Sequence, residues 1–370
     1  MRMESGNQAT KPRTISQLSS RPKKAAPQPK PNIRAQIGRS TERTARKKGT
    51  GATNASGASP SGGNAAHIRS ALNAASRAGI IQREDRCPVH SSQFTVRGCG
   101  LPSTLWSMED LHVAMDAARA GGAIIAKHFG SAPDPEYKGK FDPVTAVDHA
   151  SEAAVLAVID SHRPEDPIMA EESGGEQHIG RHWIVDPLDG TVNFVHGIPQ
   201  VSVSVALYEG DKGLVGVVYD PLRDELFTAA DGEGSRLNGH VISVSATTEL
   251  ERAVVATGFP YDHDLRAEEL SVVLREVLRQ VNGLRRFGSA ALDLAWVAAG
   301  RFDGYWELGI APWDGAAGLI LVREAGGAVT DPLGRDSTPS MGLVVATNRV
   351  LHNDLRTIIE SWMPLEQITP

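Results

Sequence analysis

From Met108 onward, apolar residues recur in two rhythms. Leu111, Ala114, Met115, Ala118, Ala123, Ile124 and Phe129 fall at helical spacing, which predicts an amphipathic helix of about 20 residues. Tyr137 to Val147 predicts a strand pair with Asp142-Pro143 at its turn and Val144-Thr-Ala-Val147 as the return strand. Asp148 then ends that strand and starts a helix from Ala150 to Ser161. Two short apolar runs follow. Ile168-Met-Ala170 ends in Glu171-Glu172-Ser173-Gly174-Gly175, and Trp183-Ile-Val185 ends in Asp186-Pro-Leu-Asp-Gly-Thr-Val-Asn-Phe194. Pro187 has no N–H for a sheet ladder and is expected to stop the second strand. Val201 to Ala206 alternates apolar with small polar residues, and Gly213 to Tyr219, Glu225 to Ala229 and Ser235 to Leu237 continue as strands between Asp, Pro and Gly turns. That is an antiparallel set, not a βαβ series.

The remainder alternates. Strands are expected at 253–258, 283–287, 302–307 and 342–347, and helices at 268–281, 289–299, 312–325 and 349–362. The first of these helices turns Leu270, Val273, Leu274, Val277 and Leu278 inward, the second is Ala-rich, and the third opens on a proline. There is no internal repeat. Such a mixture predicts stacked layers of sheet and helix, and the roughly 260 residues from 108 to 366 suffice for a substantial core.

Residues 1–107 have a different character. Large apolar side chains are almost missing from 1–66, Asn54 to Asn64 is rich in Ser, Gly and Ala, and Arg21-Pro-Lys-Lys24 and Ala45-Arg-Lys-Lys48 are basic clusters. A segment of this kind buries too little apolar surface to offset its ordering entropy, so a largely disordered extension is expected, with a short helix at 67–80. The charge is split accordingly. The whole chain carries a net -6, yet the first 100 residues hold 18 Lys and Arg against 4 Asp and Glu, leaving 20 basic and 40 acidic residues for the rest. A basic arm attracts phosphates without sequence preference, but no aromatic side chain interleaves its charges to stack bases. The expectation is an inert tail, or an upstream start assigned in error with Met108 as the native one. Nucleic-acid binding through the arm is the alternative. Cys87 and Cys99 make no disulfide framework, and with His90 they fall short of four metal ligands, which fits a reducing cytoplasm. No stretch of about 18 apolar residues exists to span a membrane.

The chemistry concentrates at element ends. Asp148, Glu171, Glu172, Asp186, Asp189 and Asp314 each sit where a strand or helix starts or stops. Several carboxylates gathered together repel unless cations neutralise them, and no matching set of Arg or Lys accompanies these motifs. Hard divalent cations bound by carboxylate oxygens answer that need, and sites with more than one metal suit displacement at phosphorus. Gly190 permits a tight backbone turn, and Thr191 and Asn193 suit the start of a helix.

Glu171-Glu172, Asp186-Pro-Leu-Asp-Gly-Thr-Val-Asn193, and Pro312-Trp-Asp-Gly-Ala-Ala-Gly318 with Glu324-Ala-Gly-Gly327 resemble the three signatures of the inositol monophosphatase family. Gly288-Ser-Ala-Ala-Leu-Asp293 and Tyr305-Trp-Glu-Leu-Gly309 match as well. The resemblance covers about 108–366, is closest to the bacterial inositol-1-monophosphatase branch, and leaves 1–107 outside. It implies a layered α-β-α-β-α sandwich, the sugar phosphatase fold shared with fructose-1,6-bisphosphatase. It also implies Mg²⁺-dependent hydrolysis of myo-inositol monophosphate or a related phosphate monoester by metal-activated water, with two to three ions per site. Li⁺ sensitivity and a homodimer are implied too.

By the same resemblance, Glu171, Asp186 and the Leu188 carbonyl would hold the first ion, and Asp186, Asp189 and Asp314 the second. Glu172 would serve a third through water. Thr191 with Asp148 would polarise the attacking water, with Glu171 beside them. The Gly190 and Thr191 amides would bind phosphate. Glu307, Gly288, Ala290 and Asp314 would meet the inositol ring. Lys138 or Lys140 would be the lysine of a mobile loop. Arg285-Arg286 reads as a surface or subunit-contact pair, and Asp293 as a buried structural acid in preference to a substrate-side one. Histidinol phosphate, fructose bisphosphate and adenosine bisphosphate are rival substrates within the fold. A role in transcription complexes, which some bacterial relatives have, is the rival of another class.

Overall fold

Ser107 sets where the first helix begins. Its hydroxyl accepts from the Asp110 amide at 3.3 Å while the Asp110 carboxylate accepts from the Ser107 amide at 2.7 Å, a reciprocal cap that satisfies two otherwise orphan N–H groups. Asp110 also takes Arg163 at 2.8 Å and Arg181 at 2.6 Å, tying this end to the sheet beneath. The computed structural model describes residues 106–131, 134–175 and 178–362. The expectations for residues 1–105, including the helix at 67–80 and any role for Cys87, His90 and Cys99, lie outside them.

Helix α1 (Met108–His128) and helix α2 (Ala146–His162) lie together on one sheet face. The buried stripe of α1 is Val113, Ala114, Ala117, Ala118, Gly121, Gly122 and Ile125, whereas Leu111, Met115, Ile124 and Phe129 are only half-buried. The stripe is thus turned from its expected position toward small residues. Contact distance is the reason, since a Cβ on Gly121 would lie 2.6 Å from the Ser151 hydroxyl of α2. Between the two helices, β1 (Glu136–Gly139) and β2 (Asp142–Val144) form a two-stranded hairpin. The return strand ends at Val144, three residues before its expected end. Thr145 caps α2 there, and Asp148 closes the same reciprocal box.

The larger sheet has the spatial order β3 (Ile168–Ala170), β4 (Arg181–Asp189), β5 (Ser202–Glu209), β6 (Lys212–Asp220), β7 (Glu225–Ala230), β8 (Gly234–Leu237) and β9 (His240–Ile242). β3 and β4 are parallel, and the others form the expected antiparallel set. Both faces are buried, and the two-residue period of a strand allots them. Trp183, Val185, Val203, Val205 and Leu207 pack under α1 and α2, and Ile184, Ala206 and Tyr208 pack on the opposite side.

That opposite side meets two central helices, α5 (Ala290–Ala298) and α6 (Pro312–Glu324). Beyond them is a second sheet of β10 (Val254–Thr257), β11 (Gly283–Arg285), β12 (Gly304–Leu308), β13 (Ala328–Thr330) and β14 (Leu343–Thr347), in the order β11-β10-β12-β14-β13. Its strands again divide their side chains. Tyr305, Val344 and Ala346 face the central helices, and Trp306, Leu308 and Val345 face an outer pair, α4 (Ala267–Leu278) and α7 (His352–Glu360). The layers are therefore helix, sheet, helix, sheet, helix, as expected. β9 and β13 were not anticipated. Each has only three residues, too few for an alternation to show. Among the described residues no helix is long and apolar enough to cross a membrane.

Candidate active site

Strand β4 does not stop at Pro187. It runs through to Asp189 with a register shift, so that Asp186 pairs with Ser204 and Asp189 with Ser202. The extra residue of this bulge absorbs the proline. The Pro187 carbonyl turns to accept from the Ser151 hydroxyl at 2.7 Å, and the Leu188 amide donates to the Asp186 carboxylate at 2.9 Å. Gly190 then adopts φ +93°, and a Cβ there would lie 2.8 Å from the Gln200 carbonyl oxygen, so only glycine fits. A one-turn helix, α3 (Thr191–Val195), follows. Asn193 does not cap it. Its side-chain amide donates to the carbonyls of Gln200 at 2.8 Å and Phe287 at 2.8 Å, anchoring the turn to the other half of the fold.

One cavity of about 100 Å³ gathers most of the sequence candidates. Glu171, Asp186, Leu188, Asp189, Gly190, Thr191, Gly288, Ala290, Glu307 and Asp314 all line it. They arrive from the end of β3, the end of β4, the entry to α5, strand β12 and the first turn of α6. Asp148 and Glu172 stand just behind this wall. The Thr191 hydroxyl donates to Asp148 Oδ1 at 2.9 Å, and Asp148 Oδ2 accepts from the Thr145 amide at 2.8 Å and its hydroxyl at 2.6 Å. Asp148 is wholly buried, so it can reach the cavity only through Thr191. Lys138 on the hairpin lies 2.8 Å from Glu171 and 3.0 Å from Glu172. Lys140 pairs instead with Asp264 at 2.5 Å and is largely exposed. Of the two lysines, the geometry brings only Lys138 to the carboxylates.

Asp189 joins the two halves. Its carboxylate accepts from the Ser289 hydroxyl at 2.6 Å, the Ala291 amide at 2.9 Å and the Ala290 amide at 3.3 Å. It thereby caps α5 from another strand, where a helix start favours negative charge. Glu307 accepts from the Tyr305 hydroxyl. Gly258 makes room for it, because a Cβ there would collide with the Glu307 carboxylate.

Several wall residues escaped the sequence reading. Arg286, read with Arg285 as a surface or subunit-contact pair, is exposed and also lines the cavity, with its guanidinium 5.5 Å from the Phe259 ring centre. Tyr261, Ser289 and Tyr305 line it as well. Ser289 and Tyr305 lie inside motifs already matched but beside the residues given roles there, whereas Arg286 and Tyr261 carry no local signal, since their elements meet at the cavity only in three dimensions. Asp293 is buried as expected, but among the described residues neither of its carboxyl oxygens has a hydrogen-bond partner.

The acids raise one another. Burial pushes Asp186 and Asp314 well above the usual carboxylate range, and each is raised further by the other members of the set; a hydrogen bond with Asp186 pulls Asp314 the other way. Burial lifts Glu171 to about 7 against the opposing pull of Lys138, and lifts Glu307 to about 7 against Tyr305 and Arg286. Asp189 rises less freely, because four hydrogen bonds favour its charged form. Among the described residues no three His, Cys, Asp or Glu side chains already form a metal-ligating cluster. The fit to a metal rests on donor chemistry. Four carboxyl groups gathered at one cavity, each raising the others, are when ionised hard oxygen ligands of the kind Mg²⁺ takes, and a cation there would favour that ionised form.

Five alternating layers, with acidic residues at strand and helix ends meeting at one cavity, make a layered α/β fold. The chain belongs to the inositol monophosphatase family, whose model matches residues 106–363. This family is generally Mg²⁺-dependent. The chain is 43% identical over 242 residues to Nus factor SuhB of Escherichia coli K12, covering 64% of this chain and 91% of that protein. It is 43% identical over 251 residues to an inositol-1-monophosphatase of Synechocystis, covering 66% and 86%. Among solved structures, suhB from Bartonella henselae matches with a TM-score of 0.66 at 39% identity, covering 69% of this chain and all of that one. Inositol monophosphatase from Anabaena matches with a TM-score of 0.63 at 42% identity, covering 70% and 98%.

Proposed function

We propose that the protein hydrolyses myo-inositol monophosphate, or a closely related sugar phosphate monoester, to the alcohol and phosphate in a Mg²⁺-dependent reaction. The observation that carries this reading is the convergence of Glu171, Asp186, Asp189 and Asp314 on one cavity whose wall also presents the Thr191–Asp148 pair. Glu171, Asp186 and the Leu188 carbonyl would hold one ion, Asp186, Asp189 and Asp314 a second, and Glu172 a third through water. Bound there, Mg²⁺ would neutralise the phosphate and make a water more acidic.

The chain's own groups supply the rest. Thr191 Oγ1, donating to Asp148, keeps lone pairs for a hydrogen bond from the attacking water, and Asp148 is the base that draws on it through that hydroxyl. The Gly190 and Thr191 amides, at the turn into α3, would bind the phosphate, and both residues line the cavity. Glu307 accepts from hydroxyls of the leaving group, with Gly288 and Ala290 leaving space beside it. The direct test is phosphate release from inositol 1-phosphate, with and without Mg²⁺, by the wild type and Asp186→Asn. Mg²⁺-dependent release lost in the variant supports the reading. Folded wild-type protein that releases nothing from inositol 1-phosphate or from related sugar phosphates under any metal condition sinks it. A panel with histidinol phosphate, fructose 1,6-bisphosphate and adenosine 3′,5′-bisphosphate decides substrate preference, and sizing in solution tests the homodimer.

A second reading has one observation behind it, the name Nus factor SuhB carried by several curated relatives at 42–43% identity. In this reading the chain joins a transcription complex. It calls for salt-sensitive binding of the full chain to RNA or RNA polymerase, and binding that is undetectable at low salt would remove it.

A further inference from the structure

Asp293 occupies the first turn of α5 with 0% exposure. Its neighbours on that helix, Ala291, Leu292, Leu294 and Ala295, are apolar and equally buried. Among the described residues, neither of its carboxyl oxygens meets a protein donor. A carboxyl held this way costs the fold stability, because burial strips its water and nothing replaces it. An acid kept for structure is found bonded. Asp189 is held by Ser289 and Ala291, and Asp303 by Ser245 and Val254. Asp293 has no such set, and it lines the cavity on the wall that Glu307 and Tyr305 also form.

We infer that Asp293 is a further substrate-binding residue, whose carboxyl group hydrogen-bonds a hydroxyl of the leaving group deep in the cavity. The inference rests on the polyol phosphatase reading above. Glu307 already receives the Tyr305 hydroxyl on one oxygen, so a ring with several adjacent hydroxyls needs acceptors beyond it. Asp293 offers two oxygens with no competing protein donor. Either protonation state serves, since an ionised carboxyl accepts and a neutral one both donates and accepts. The leaving groups selected are polyols with adjacent hydroxyls. An aryl or simple alkyl phosphate has no hydroxyl to offer and gains nothing from Asp293.

The experiment compares wild type, Asp293→Leu and Asp293→Asn on inositol 1-phosphate and on p-nitrophenyl phosphate, with melting temperatures recorded alongside. Asp293→Leu should lower kcat/KM for inositol 1-phosphate about 10- to 100-fold, mainly through KM, and leave p-nitrophenyl phosphate within about twofold. It should melt no lower than the wild type, because an unpartnered buried carboxyl has been removed. Asp293→Asn, which can still hydrogen-bond, should keep more of the inositol phosphate activity and serves as the readout if the leucine variant fails to fold. An equal fall on both substrates, or an unchanged preference in both variants, overturns the assignment alone. A wild type that hydrolyses p-nitrophenyl phosphate but no polyol phosphate overturns the substrate reading and the assignment together.

Discussion

The Ser289 hydroxyl donates to Asp189 at 2.6 Å, across 100 residues of chain. This contact joins the bulged end of β4 to the start of α5 and so ties the larger sheet to the central helix layer at the cavity. It gives Asp189 two tasks, capping a core helix and facing the site. Ser289→Ala removes one charge-assisted hydrogen bond from a buried carboxylate and should cost about 1.5–3 kcal/mol. Chemical denaturation against wild type measures it, and a loss below about 0.5 kcal/mol, the range of an inert surface change, would show that the helix amides suffice.

Asp186→Asn should separate stability from metal binding. The wild-type carboxyl is raised by burial and then by Glu171, Asp189 and Asp314 around it. Replacing it with a neutral amide relieves that repulsion, so the metal-free variant should melt no lower than the metal-free wild type. Added Mg²⁺ should stabilise the wild type by about 2.7 kcal/mol at 100 times its dissociation constant and the variant far less. Equal Mg²⁺ stabilisation of both proteins would count against Asp186 as a ligand.

The contribution of Glu307 to the pH dependence of the metal-free protein has a definite sign. Glu307 titrates at about 7 in the fold against 4.5 without it. At Glu307 the folded state therefore binds more protons between these values, and this group's contribution to stability falls as pH rises from about 4.5 to about 7. Glu307→Gln should flatten that fall. Melting curves at pH 5, 6 and 7.5 in the presence of a chelator check it, and a variant as steep as the wild type would contradict the assignment.

The two hairpin lysines should behave differently. Lys138 holds Glu171 and Glu172, so Lys138→Ala should lower metal-free stability and bring the Mg²⁺ midpoint to lower concentration. Lys140 pairs with Asp264 at an exposed position, and Lys140→Ala should stay within about 0.5 kcal/mol of wild type. A Mg²⁺ titration followed by melting temperature compares them. Indistinguishable titrations would place Lys138 outside the site.

Gly258→Ala should act on the sugar side alone. The added methyl collides with the Glu307 carboxylate, which must move. The expected result is a KM for inositol 1-phosphate raised about tenfold or more, in line with misplacement of a positioning group, with Mg²⁺ affinity unchanged. A shift in Mg²⁺ midpoint of similar size would mean that the two halves of the cavity are not separable.

Much of this was legible without coordinates. The two-residue and 3.6-residue periods marked the major strands and helices, because a layered core makes every element bury at least one face. The acids stood out as candidates because they occupy element ends, where side chains need not enter a core, and their grouping against few cations pointed to metal chemistry. Three local readings failed for identifiable reasons. Pro187 was absorbed by a bulge, Thr145 and Asp148 started a helix sooner than the apolar pattern indicated, and α1 buried its small residues because another helix approaches closely there.

The sequence by itself determined the layers, the acidic set and the family, since each depends on residues close together in the chain. Only the tertiary structure decided which lysine meets Glu171, that Arg286 faces the cavity, that Asp148 works through Thr191, and that Asp293 is left without a partner. Those relationships join positions from 33 to more than 100 residues apart, and no local pattern encodes them. They exist only where two sheets and the helices between them close on the same small volume.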